Sequence, residues 1–266
     1  MGRVTTTDRR TVLRATVGLA FTAGCATSGA VAHPAPPTSS AVAHPDPSQS
    51  AGPSAKPPAP GPRRFPGRPA QLTHGPRTRP RVALTFHGNG DPATAKALLG
   101  EAERHGARLT VLAVGSWLDE HPELARRILD GGHDLGNHTL HHLGVNDMSE
   151  ADALAEIEGC ADRLRELTGS IGSWFRPSRA ARASPLVERL ARRVGYPHVL
   201  SYDVDSLDFT SPGAPAITRK VLGEVRNGSV VSLHFGYADT VAALPAVLEA
   251  LDRRGLAAVT TTELFS

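Results

Sequence analysis

With 266 residues, 40% of them hydrophobic, the chain can bury one sizeable core but not two full enzyme domains. Its formal charge of +3 is unevenly placed: residues 1–74 carry eight Lys/Arg against two Asp/Glu, and residues 75–266 carry twenty-one against twenty-four. The larger part is therefore mildly acidic, and no basic stripe interleaved with aromatics supports nucleic-acid binding. Two cysteines, Cys25 and Cys160, are too few for a disulfide framework.

The chain opens on Thr7-Asp8-Arg9-Arg10-Thr11-Val12-Leu13 and an apolar run from Ala15 to Cys25. That run is too short to span a bilayer and reads as a twin-arginine export signal over residues 1–32. Ala23-Gly24-Cys25 resembles the end of a lipoprotein cleavage box, which leaves Cys25 as a lipidated N-terminus. A cut after Ala32, at Ala30-Val31-Ala32, releases a soluble protein instead. Either way the expectation is export, to secretion or to a surface anchor, with membrane contact only through that lipid. Residues 33–80 are rich in Pro, Ala and Ser and offer little apolar surface to offset ordering entropy, so they read as a disordered tether.

Order is expected from residue 81. Strand-forming runs fall at 82–86, 109–114, 134–137, 174–176, 198–201, 229–234 and 257–260. Helical apolar spacing falls between them at 92–105, 118–129, 149–167, 185–194, 214–225 and 241–254. Ser149 with Asp152 makes a capping box for the longest helix, and Pro185 suits a first turn. Cys160 lies on that longest helix, where a small buried thiol is expected. Strands alternating with helices imply parallel pairing through crossovers, hence an α/β barrel or a doubly wound sheet. In both, working residues gather at the carboxyl ends of strands.

Those strand ends are polar in an ordered way. His87 follows the first, His138 and His142 the third, Arg176 the fourth, Asp203 and Asp205 the fifth, and His234 the sixth. His138 and His142, four apart, are expected on one side of a helical turn, a spacing that suits one divalent cation. Imidazole ligands favour zinc, with cobalt or nickel as the other candidates.

In this order the segments Thr85-Phe86-His87-Gly88-Asn89-Gly90-Asp91-Pro92, Gly136-Asn137-His138-Thr139-Leu140-His141-His142, Phe175-Arg176-Pro177-Ser178, Tyr202-Asp203-Val204-Asp205-Ser206-Leu207-Asp208-Phe209 and Ser232-Leu233-His234 resemble the polysaccharide deacetylases of the NodB-homology type, carbohydrate esterase family 4. The resemblance covers residues 81–266. It implies a distorted (β/α)7 barrel and a metal-dependent hydrolase that removes acetyl groups from an extracellular glycan, peptidoglycan or a chitin-like N-acetyl sugar. It further implies that His138 and His142 hold the metal, that His234 is the general acid, that Asp205 orients His234 and that Arg176 braces the base. Asp208 and Asp203 are expected to close loop hydrogen bonds.

The first segment departs from the family, which there carries two adjacent Asp residues as base and third ligand. This chain has His87 and Gly88. His87 joins His138 and His142 as a third imidazole ligand in one reading, which leaves an open position for water. In a second it is the base while Asp91 reaches back to the metal. In a third, catalysis is lost and the groove only binds glycan. Amide hydrolysis of a non-sugar substrate is a further alternative. Arg179 stands where the family has an aromatic residue, and His141 is an alternative to His142 as ligand.

Overall fold

The computed structural model describes residues 57–266. The export signal, Cys25 and the tether up to residue 56 lie outside the described residues.

The fold is built on β2 (Arg81–Gly88), an apolar run buried on both faces after its first residue. Parallel strands with helices behind them are buried this way. Strand β2 pairs in parallel with β3 (Thr110–Ala113), with β7 (Val230–His234) and, at its start, with β8 (Ala257–Ala258). Beyond these lie β4 (Asp134–Asn137) on β3 and β6 (Val204–Asp205) on β7. Phe175 bridges Asn137 on one side and Val199 on the other, which brings in β5 (Val199–Leu200) and its partner β1 (Gln71–Leu72). An antiparallel bridge from His74 to Ser229 returns to the foot of β7. The architecture is an α/β fold of the distorted NodB-type barrel.

Side-chain alternation along a strand sorts the two faces. Val82, Leu84 and Phe86 of β2, with Val231 and Leu233 of β7, pack outward into the main core. There they meet α1 (Pro92–Arg104), α2 (Gly115–Glu120), α3 (Glu123–Asp130), α6 (Ala214–Glu224) and α7 (Ala238–Arg253). A second core lies between α4 (Glu150–Thr168) and α5 (Pro185–Val194), around Ile157, Phe175, Leu190 and Tyr196. The inward positions are Ala83, Thr85 and His87 on β2 and Val230, Ser232 and His234 on β7. They pass from an apolar floor of Ala83, Val230, Trp174 and Phe265 to polar groups at the carboxyl end. Cys160 is a buried packing residue of α4, its thiol pushed up to about 12 chiefly by burial.

Several sequence expectations are corrected. The expected helix 118–129 is two helices, because Pro122 brings no N–H and closes α2 before α3 begins. The expected strand 174–176 survives only as the two bridges of Phe175. Strand β6 and the short α8 (Thr261–Phe265), the latter opened by a Thr260/Glu263 capping box, were not foreseen. Residues 57–80 are structured and part of the fold. Phe65 stacks on Trp174 with ring centroids 5.6 Å apart and also meets Phe265, while its N–H donates to His198 Nε2 at 3.0 Å. Arg77 pairs with Asp203 at 2.6 Å. A few well-placed side chains anchor a stretch whose average composition reads as a tether.

Candidate active site

His87, next to last in β2, lies directly opposite His234 of β7, and their rings stack at 4.3 Å between centroids. His138 follows β4, where its N–H donates to the Ala113 carbonyl and its Nδ1 lies 3.0 Å from the Arg176 carbonyl. A carbonyl only accepts, so Nδ1 carries the proton and Nε2 is bare. That Nε2 faces His87 Nδ1 at 2.8 Å.

His142 reaches the same spot without a helix. Residues 138–144 form a loop in which Thr139 (φ 69°) and His142 (φ 57°) both take left-handed backbone. The His138 and His142 ring centroids are 5.0 Å apart. Buried Asn137 holds the loop, accepting from Thr139 N and donating to the Ile157 carbonyl and the Tyr196 hydroxyl. The expected helical turn is thus replaced by a pinned loop. One nitrogen from each of His87, His138 and His142 lies within 4.8 Å of the others.

Burial, and then the neighbouring rings and Arg176, hold His87 and His138 well below the usual histidine range. His142 is lowered by burial and then by Arg179. All three are neutral imidazoles, the form that binds metal. Arg176 is fully buried, its Nε and Nη2 donating to the Leu200 and Ser201 carbonyls and to Thr85 Oγ1; burial lowers it to about 10. Its Nη1 lies 3.3 Å from His87 Nε2.

His87 has two self-consistent tautomers. With Arg176 donating to Nε2, the proton sits on Nδ1 and is given to His138. With Nε2–H donating to Ser232 Oγ, 3.1 Å away, Nδ1 is bare beside His138 Nε2. The second presents a donor set that fits a divalent cation. A carboxylate ligand at position 88 does not fit: a Cβ on Gly88 would meet Val111 Cγ1 at 2.8 Å and the Ala113 Cα at 3.0 Å. Asp91 is also excluded as a ligand, because it caps α1, accepting from Ala93 N and Thr94 N. His141 turns outward to Glu156 at 2.7 Å.

The orienting carboxylate of His234 is Asp208 and not Asp205. Asp208 is fully buried and accepts from His234 Nδ1 at 2.7 Å, from the His234 N–H at 2.8 Å and from Thr240 Oγ1 at 2.7 Å. Left-handed Leu207 (φ 56°) starts a 3₁₀ turn, Asp208–Thr210, that tucks this carboxylate under β7. Asp205 remains on the cleft wall, accepting from Leu207 N, with its charge beside Tyr202 and Arg176. Asp203 braces Arg77, Ser229 and Val230 N far from the rings. Ser232 and the aromatic wall were not singled out from sequence. Ser232 could have been, since it lies two residues before His234 on the same face.

These groups open into a cleft of about 400 Å³ walled by Tyr202, Phe209, Tyr237 and Arg179. Phe209 and Tyr237 each meet the His234 ring in a T-shaped contact. A larger groove, about 760 Å³, lies against residues 57–63 and contains none of this chemistry.

Residues 74–199 match the polysaccharide deacetylase family model. A peptidoglycan-N-acetylglucosamine deacetylase of Bacillus cereus is 30% identical over 188 residues, covering 69% of this chain and 87% of that protein. PgdA of Listeria monocytogenes, also a peptidoglycan-N-acetylglucosamine deacetylase, is 28% identical over 71% of this chain, which spans 40% of that relative's length. Among solved structures, the Bc1960 peptidoglycan N-acetylglucosamine deacetylase has TM-score 0.68 at 25% identity, covering 74% of this chain and 92% of that one. A wild-type CE4 family pseudoenzyme from Bacillus anthracis has TM-score 0.70 at 21% identity, covering 75% and 70%.

Proposed function

The chain belongs to the polysaccharide deacetylase family, and on that footing we propose that its cleft is the active site of a metal-dependent hydrolase removing acetyl groups from a cell-wall glycan, peptidoglycan or a chitin-like N-acetyl sugar. The observation that carries this reading is the meeting of three neutral imidazoles with His234, whose ring stacks on His87 and is oriented by a buried carboxylate. His87, His138 and His142 would hold the cation, zinc in the first instance. A cation there supplies Lewis acidity, acidifying water and drawing charge from the acetyl carbonyl.

The chain's own groups supply the rest. Asp208 accepts a hydrogen bond from the Nδ1–H of His234, leaving Nε2 toward the cleft to carry a proton to the departing amine or alcohol. Ser232 Oγ, accepting from Nε2–H, and the packed floor hold the His87 ring in place. Leu143, Leu207 and Phe209 are the large apolar side chains that stay exposed among the described residues, and all three sit on the loops around the cleft. Exposed apolar groups gathered around a cleft mark a ligand-binding surface.

A second reading, a glycan-binding relative without catalysis, is favoured by one distance: His87 Nδ1 to His138 Nε2, 2.8 Å, is a hydrogen-bond length that needs no metal. Zinc titration and acetate release from N-acetylglucosamine oligomers and peptidoglycan separate the two. The hydrolase reading expects zinc binding and acetate, both lost in His138→Ala, and acetate lost in His234→Ala. Glycan affinity without acetate release supports the binding module. From the Arg9-Arg10 leader we further propose export, to secretion or to an anchor at Cys25, which cell fractionation with and without Arg9→Lys/Arg10→Lys tests.

A further inference from the structure

We propose that Arg179 forms a carboxylate-recognition subsite in this cleft, so that the preferred substrate is an acetylated sugar carrying an acidic group. The inference rests on the deacetylase reading and names its substrate class.

Arg179 lines the cleft with His142 and His87, and is exposed. Among the described residues no carboxylate or carbonyl engages its guanidinium. The other arginine of the site is unavailable, since Arg176 is fully buried with all its nitrogens directed at protein groups.

The anions nearby are already occupied: Asp208 is buried against His234 and Thr240, and Asp205 is turned to the Leu207 N–H and the Tyr202 side. Among the described residues the cleft therefore offers Arg179 as a cation without a protein partner at its wall. A guanidinium recognises a carboxylate through paired N–H donors, a fixed geometry that an ammonium does not share.

The backbone holds the group there. Arg179 takes left-handed φ 54°, a conformation a β-carbon disfavours. The preceding Ser178 is fully buried and ties the turn to the metal-pair loop, its hydroxyl accepting from Thr139 Oγ1 and donating to the Leu143 carbonyl. The five described non-glycine residues with left-handed backbone, Thr139, His142, Arg179, Leu207 and Ser211, all lie on loops at this rim. Strain of this kind persists where surrounding contacts fix it, and it concentrates at working sites. Here it holds the Arg179 turn at the wall of the cleft that contains His87, His142 and His234.

The acidic group could be the lactyl ether of a muramic acid residue or the ring carboxylate of a uronic acid. The test uses the zinc-loaded full chain and three substrates: neutral N-acetylglucosamine oligomers, peptide-stripped peptidoglycan strands, and an acetylated polyuronate. Wild-type protein should favour an acidic glycan over the neutral one by about tenfold in kcat/KM, the scale of one charge-assisted hydrogen bond. Arg179→Gln should collapse that ratio toward one, Arg179→Lys should retain part of it, and added salt should erode it. Preference for the stripped strands alone assigns the lactyl group, and preference for the polyuronate alone assigns the ring carboxylate. Equal use of neutral and acidic glycans, or an unchanged ratio in Arg179→Gln, overturns the subsite and leaves the hydrolase reading standing. If no glycan releases acetate, the hydrolase reading fails. Equilibrium binding of the same glycans then decides the subsite: affinity for the acidic glycan lost in Arg179→Gln upholds it, and unchanged affinity overturns it.

Discussion

At the scale of single residues, the tautomer of His87 decides whether the imidazole cluster is a ligand set or a hydrogen-bonded chain. Ser232 Oγ is the acceptor that lets Nε2 carry the proton and leaves Nδ1 bare. Removing an outer partner of this sort costs about 10- to 100-fold in metal affinity. Ser232→Ala should therefore weaken zinc binding by about that factor, read by competition with a chelating dye, and an unchanged constant would dismiss the role assigned to the hydroxyl. The two aspartates make a second comparison. Asp208→Asn leaves the His234 ring without a carboxylate at Nδ1 and should lower kcat at least about a hundredfold with KM little changed, as loss of an orienting carboxylate does. Asp205→Asn should cost much less. Acetate-release kinetics on both variants check this, and the reverse order would restore Asp205 to the role the sequence suggested. Strand-end reasoning located His87, His138, Arg176 and His234 because each lies at or next to the carboxyl end of a strand or bridge, and the four-residue spacing from His138 added His142. The family resemblance put Asp205 on His234, whereas left-handed Leu207 and the 3₁₀ turn Asp208–Thr210 bring Asp208 there, and neither has a strong local signature.

At the scale of elements, the pairing of β2 with β3 explains why the family's acidic pair cannot simply be written back into this chain. Gly88 and Ala113 are partners in the register, and the space a Cβ needs at 88 is taken by β3. Gly88→Asp should cost about 1–3 kcal/mol through overpacking and lower the thermal midpoint, measured by circular dichroism; an unchanged midpoint would show that the strands part easily there. His133 ties three elements together. Its Nδ1 accepts from Leu109 N at the head of β3, and its Nε2 faces Glu103 of α1 at 3.3 Å. Burial, the largest influence, lowers its pKa in spite of Glu103. A histidine whose folded pKa is depressed contributes stability that is present above its unfolded pKa of about 6.5 and is lost as pH falls toward the folded value. The same sign applies to His87, His138 and His142. Urea midpoints should thus fall between pH 7.5 and pH 5, and His133→Gln should flatten part of that slope; a slope equal to the wild type's would remove His133 from the account. The elements most legible in sequence were the long ones with caps, α4 and α5. Two-residue strands such as β1 and β6 carry too few side chains for period-two alternation to show.

At the scale of the whole molecule, the question is where the folded unit begins. Apolar patterning placed its start at residue 81, yet Phe65 lies against Trp174 and Phe265 at the floor of the sheet, and β1 continues the line of pairings through β5. Phe65 is only partly buried, so Phe65→Ala should cost about 2 kcal/mol, below the 3–5 typical of a fully buried aromatic. Truncation to 81–266 should cost more. It removes β1, the Arg77–Asp203 ion pair, the His74–Ser229 bridge and the ring that covers Trp174 together. The foot of β7 then loses its partner on that side, and β7 carries Ser232 and His234 to the cleft. Loss of the segment should consequently appear at the site as well as in stability. A chain beginning at 57 should bind zinc with wild-type affinity and unfold in a single transition. The same domain begun at 81 should show a lower midpoint and weaker zinc binding. Urea titration and zinc competition on the two chains, run side by side, decide it. Equal midpoints would return residues 57–80 to the status of a tether resting on the barrel.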